Sequence, residues 1–148
     1  MLNLKVVGAL VACALIVAVP SLAHGGPGVI GKPLAKGTMQ ATTINGQSGS
    51  MIFEKFTITP RGSFGWHTHA APVAVVVAAG TLTVFDPTVN NCAPFKVSKG
   101  ASFVEPANHV HLARNDGKKP VTVYVVYLGV PKNTGPDAAA AKPAGCNA

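Results

Sequence analysis

The sequence predicts an all-β domain, a small antiparallel sandwich or barrel. Three observations carry that expectation. Nowhere does an apolar period of 3.6 persist long enough for an amphipathic helix. Gly 16 and Pro 12 make up about a fifth of the chain and punctuate it with turns. Between those turns lie short runs, alternating or rich in β-branched residues, at the spacing of antiparallel strands.

The first element is not part of the expected fold. Lys5 is followed by an uncharged run from Val6 to Val19, then Pro20 and the small residues of Ser21-Leu22-Ala23. That is the order of a secretory signal peptide, with cleavage expected after Ala23. The run is shorter than the ~20 residues of a spanning helix, so the mature chain should carry no stable membrane span. Leu10-Val11-Ala12-Cys13 offers an alternative, a lipidated Cys13, although the residues after it stay apolar.

Residues 24–48 read as an extended Gly- and Pro-rich arm followed by a first, loosely alternating strand from Thr38 to Ile44. The domain proper is expected over residues 49–130. Ser50 to Thr59 alternates between an apolar and a mixed face. Pro72 to Ala79 is apolar on both parities, so both of its faces should be covered. On that pattern Val73, Val75 and Val77 should line a cavity, with Ala74 and Val76 packed on a second layer or a partner subunit. Gly80 interrupts, and Thr81 to Phe85 resumes. Phe103-Val104 is short, and His109 to Ala113 follows a Pro-Ala-Asn turn. Asn115-Asp116-Gly117 reads as a hairpin turn, and Val121 to Val130 as the last strong strand. Residues 131–148 are a Pro- and Ala-rich tail, expected to be mobile unless a cysteine holds it.

Charge and cysteine narrow the function classes. Lys+Arg 12 against Asp+Glu 5 leaves +7. The bases are scattered, with Lys118-Lys119 the one adjacent pair, so no nucleic-acid footprint is expected. Removing the leader leaves two of the three cysteines, Cys92 and Cys146. In an oxidising compartment they should form a disulfide. It would stabilise the fold by roughly 4 kcal/mol on the loop-entropy model.

The chemistry lies in the histidines. Four of the five fall in two clusters, His67-Thr68-His69 and His109-Val110-His111. In a strand, residues two apart share a face, so each pair can aim two imidazoles at one point. Imidazole is the commonest protein ligand for transition metals. One such pair is commonplace on a solvent face. Two, in a chain with five histidines, favour a metal site.

The spacing resembles that of a small single-domain cupin. Gly62-Ser-Phe-Gly-Trp66-His67-Thr-His69, three residues, Val73, six residues and Gly80 are similar to the first motif of that family. Gly100, five residues, Pro106-Ala-Asn108, two residues, His111, three residues and Asn115 are similar to the second. The resemblance implies a jelly-roll barrel, or double-stranded β-helix, with a metal at its open end, and frequent homodimers. It assigns His67, His69 and His111 as ligands of one divalent transition metal: iron, manganese, zinc, copper or nickel. For that metal to bind, the ring nitrogens should lie within roughly 4 Å of one another.

Three departures mark this chain. The glutamate of the first motif is replaced by Val73, which has no donor atom. Asn108 stands at a turn glycine, a position Asn tolerates. Four residues, not five, separate Gly62 from His67. His109, by parity with His111, is a candidate fourth ligand. Glu105, extended before Pro106, is a candidate too, or a partner for an imidazole N–H. Trp66 should point away from the site and pack. Two function classes stay open: a metal-dependent oxidoreductase or dioxygenase acting on a small molecule, and a non-enzymatic cupin that binds or senses a small ligand, with or without metal.

Overall fold

The computed structural model describes residues 25–40 and 48–148. The expected leader, 1–23, and most of the strand read over Thr38 to Ile44 lie outside the described residues. Among the described residues no helix is long and apolar enough to cross a membrane.

Among the described residues ten strands form two antiparallel five-stranded sheets, a jelly-roll arrangement. In chain order they are β1 (Val29–Met39), β2 (Gly49–Ile58), β3 (Ser63–Thr68), β4 (Val73–Ala79), β5 (Thr81–Phe85), β6 (Phe95–Ser98), β7 (Ser102–Glu105), β8 (His111–Arg114), β9 (Val121–Val130) and β10 (Ala138–Ala139). The first sheet runs β1-β2-β9-β4-β7 and the second β10-β3-β8-β5-β6. The sheets do not close into a continuous barrel.

The core lies between the sheets and draws on both. Phe56, Ile58, Val73, Val77, Val121 and Val123 from the first sheet meet Leu82, Val84, Val97 and Ala113 from the second. Strand alternation produces this. In β9 the odd positions Val121, Val123, Val125 and Tyr127 are buried, while the even ones from Thr122 to Leu128 are half-buried on the other face. Gly80, at the β4–β5 turn, has φ 77, and a Cβ there would lie 2.9 Å from Val121 Cγ2.

Several segments differ from the sequence reading. The glycine- and proline-rich arm is itself β1, an edge strand paired along β2, which is where a sheet tolerates Pro33. Asn115-Asp116-Gly117 is not a hairpin, because β8 and β9 belong to different sheets and the turn crosses between them. Asn115 is fully buried there. Its amide donates to the carbonyls of Ile58 and Lys119, each at 2.9 Å, and its Oδ1 accepts from the Gly117 N–H. Strand β6 has no counterpart in the reading.

The tail is fixed. β10 pairs with β3 through Ala138–Thr68 and Ala139–His67, and Cys146 is bonded to Cys92. Cys92 ends a turn in which Asn90, Asn91 and Cys92 all have positive φ. The disulfide covers the outer face of the second sheet, over Phe85, Leu112 and Trp66. Trp66 therefore packs, as its parity relative to His67 implied.

Among the described residues the outer face of the first sheet has no such cover. Val75 lines the interior cavity, and Val73 and Val77 are buried. Ala74 is half-buried and Val76 is 46% exposed. Among the described residues no second layer covers them.

Candidate metal centre

The site is built from adjacent strands of the second sheet. His67 in β3 and His111 in β8 are directly opposed Cα partners, so their rings share the inner face. His69 follows β3 by one residue, two beyond His67. The N–H of Asn108, at φ 59, donates to the His69 carbonyl at 2.7 Å, which ties the second motif's turn to the first motif. All three histidines are buried, and one ligand nitrogen from each lies within 4.8 Å of the others. That bound is looser than the roughly 4 Å expected, so closing on an ion at 2.0–2.1 Å requires the rings to draw in slightly. The ring centroids are 4.3 Å apart for His67–His111, 4.8 Å for His67–His69 and 5.1 Å for His69–His111.

Each ring is oriented through Nδ1. His67 Nδ1 donates to the Gly65 carbonyl, His111 Nδ1 to that of His109 and His69 Nδ1 to that of Pro136, each at 3.0 Å. A carbonyl can only accept, so every Nδ1 carries a proton. The three Nε2 atoms are left to face the centre, as metal-binding imidazoles require.

Glu105 closes the opposite side. Its carboxylate oxygens lie 3.0 Å from His111 Nε2 and 3.3 Å from His69 Nε2. These are ion-pair distances without hydrogen-bond alignment: both Nε2 atoms are buried and make no hydrogen bond. Two buried, orphaned nitrogens facing a carboxylate form a donor set that fits a divalent cation. Bound there, such an ion would be held by His67, His69 and His111 and would supply Lewis acidity.

Burial and mutual charge set the protonation of the metal-free site. Burial, with His111 beside it, holds the His67 imidazole down at about 4. Burial also disfavours charge on His111, but contact with Glu105 outweighs it and raises the ring above its ordinary value. Burial would raise the Glu105 carboxyl, yet His111 and His69 hold it at about 2. Burial raises Tyr127, with Asp137 adding to the effect, so its phenol stays neutral.

Of the residues expected at the site, the structure brings together His67, His69, His111 and Glu105. His109 is placed elsewhere. Strand β8 begins only at His111, so the parity linking the two does not extend to His109, whose Nδ1 lies 3.3 Å from Asp86 Oδ2. Glu105 meets the inward Nε2 atoms, not an outer N–H. The reading did not single out Pro136, Asp137, Phe64 or Tyr127. Phe64 stacks on His67 at 5.7 Å, Tyr127 meets His69 edge-on at 5.5 Å, and Asp137 lines the cavity beside Phe56 and Phe103. That cavity leaves about 30 Å³ for water, room for one or two molecules.

The same architecture occurs in solved structures. The polyketide cyclase RemF of Streptomyces resistomycificus superposes with a TM-score of 0.54 at 18% identity, over 70% of this chain and 66% of that one. A cupin domain from Bordetella pertussis Tohama I gives 0.51 at 18% identity, over 68% and 93%. A structure of the DMSP lyases RdDddP and RnDddQII gives 0.52 at 18% identity, over 62% and 44%. The chain thus spans just under two thirds of the cyclase and less than half of the lyase chain. No curated protein matches the sequence. Residues 54–127, half of the chain, match the model of the Cupin domain, and the protein belongs to the cupin family.

Proposed function

We propose that the protein is an exported cupin that binds one divalent transition metal through His67, His69 and His111 and presents it to a small molecule. The observation that carries this reading is the convergence of three buried imidazoles whose Nδ1 atoms are all committed to backbone carbonyls. Export rests on the leader pattern of residues 1–23, with lipidation at Cys13 as the alternative, and agrees with the Cys92–Cys146 disulfide. A cavity of about 30 Å³ admits water or a diatomic molecule, so an organic substrate would bind at the mouth of the site. Oxidoreductase or dioxygenase chemistry is the enzymatic form of the proposal. The relatives include a cyclase and a lyase, so the fold does not choose the reaction.

The test is elemental analysis of the protein isolated from its own compartment, alongside a His67→Ala/His111→Ala variant. One metal per chain in the natural protein and none in the variant is expected. Full stoichiometry in the variant would overturn the ligand assignment.

A second reading has its own support. Glu105 already lies against two of the imidazoles, which suits a metal-free pocket that binds or senses a ligand. A natural protein that holds no metal and is not activated by adding one would establish it.

We also propose a homodimer through the outer face of the first sheet. Val104, Ala74, Val126 and Phe53 are successive cross-strand partners there, and Val104 is 65% exposed. Monomers rarely leave so continuous an apolar row in water.

A further inference from the structure

We infer that Glu105 is the fourth ligand of the metal, supplied from β7 in place of the glutamate that Val73 has displaced on β4. The inference rests on the metal-binding reading above and adds a residue to it. Val73 and Glu105 are directly opposed partners in the β4–β7 ladder. Opposed residues share a face, with Cβ atoms about 4.5–5.5 Å apart. A carboxylate lost from position 73 is therefore available one strand away, at the same height along the sheet and on the same inner side. β7 is consistent with this: Phe103 and Glu105 point inward, while Ser102 and Val104 are exposed.

The side chain also reaches the right atoms. Its two oxygens lie 3.0 and 3.3 Å from the Nε2 atoms of His111 and His69, the nitrogens that an ion would bind. An outer partner would instead meet Nδ1, and all three Nδ1 atoms already have carbonyls. Only 9% of Glu105 is exposed, and no lysine or arginine is among its ion-pair partners in the described residues. A buried carboxylate whose ion-pair partners are the inward Nε2 atoms of two buried imidazoles is well placed to share a cation with them. One carboxylate and three neutral imidazoles hold a divalent ion with a net charge of +1, where three imidazoles alone leave +2. The first set suits hard ions such as manganese or iron better than the second.

The experiment uses cobalt(II) as the probe, titrated into metal-free, disulfide-intact protein and followed by its visible spectrum. Wild type, Glu105→Val and the exchanged pair Val73→Glu/Glu105→Val are compared, with folding checked by circular dichroism. Loss of an outer hydrogen-bond partner costs about 10–100-fold in metal affinity. Loss of a ligand should cost more than about 100-fold and shift the spectrum. Glu105→Val is expected to do both, and the exchanged pair to regain affinity to within about tenfold of wild type. A Glu105→Val protein that gives the wild-type spectrum at saturating cobalt overturns the inference and leaves the three-histidine site standing. A folded exchanged pair that regains no affinity overturns the equivalence of the two positions. Wild type that binds no cobalt overturns the metal reading itself.

Discussion

His69 and Pro136 are joined across 67 residues of sequence by one hydrogen bond, Nδ1 to carbonyl, at 3.0 Å. The tail that carries Pro136 is anchored by β10 and by the Cys92–Cys146 bond. Cys146→Ser should therefore act on the site as well as on stability. We expect metal affinity to fall by about 10–100-fold as the His69 ring loses its orienting partner. Unfolding free energy should fall by about 2–5 kcal/mol. Metal titration and urea denaturation measure the two; a loss of stability with affinity unchanged would show that the tail does not orient His69.

The metal-free protein should weaken in mild acid. His67 is held at about 4 in the fold against 6.5 when unfolded, so the unfolded chain takes up the proton first. Stability contributed by the neutral ring is present above pH 6.5 and is lost as pH falls from 6.5 to 4. His111 is shifted the other way, so its contribution is complete below pH 6.5 and does not change within this window. Glu105 adds a second loss from about 4.5 to 2. Urea unfolding in the presence of a chelator should show a decline of about 3 kcal/mol between pH 6.5 and 4. His67→Asn should flatten it. A wild-type profile that is level across that window would contradict the assignment.

Asn115 joins three backbone groups at the crossing between the sheets: two carbonyls and the Gly117 N–H. Asn115→Ala would strand them inside the protein, at about 1–3 kcal/mol each for those that water cannot reach. We expect a loss of about 3 kcal/mol, larger than Asn108→Ala on an exposed turn. Equal effects from the two substitutions would mean that the crossing is not what holds the sheets in register.

The outer row of the first sheet can be tested by charge. Val104→Lys places an ammonium in the middle of the proposed dimer contact and leaves the inner face untouched. Sedimentation velocity should show a dimer for wild type and a monomer for the variant, at similar thermal stability per chain. A monomeric wild type at micromolar concentration would remove the proposal.

Much of this molecule can be read from its residues, and the exceptions have physical causes. Thr81–Phe85 and Val121–Val130 were legible because β-branched runs between turn residues have few other uses. The histidine clusters are legible because spacing puts each pair on one face of a strand, and the resemblance to the family selects His67, His69 and His111 from them. β6 was not, since Phe95-Lys96-Val97-Ser98 is too short to show a period. β10 is two alanines whose strand character comes wholly from pairing with β3. The partner of His69 was invisible for a different reason: Pro136 acts through its carbonyl, which every residue has. The parity argument for His109 needed a strand two residues longer than the one that forms.

The use of main-chain carbonyls by all three imidazoles has an evolutionary consequence. In many metal proteins the ring is aimed by a neighbouring carboxylate, which a single codon change can delete. Here His109 and Pro136 can vary as long as the backbone keeps its path, because the acceptor belongs to no side chain, while Gly65 is fixed by its own φ of 72. The orientation of the imidazoles is thus buffered against drift. If the proposed metal is held by these histidines, variation would act mainly on the fourth position, the one proposed for Glu105.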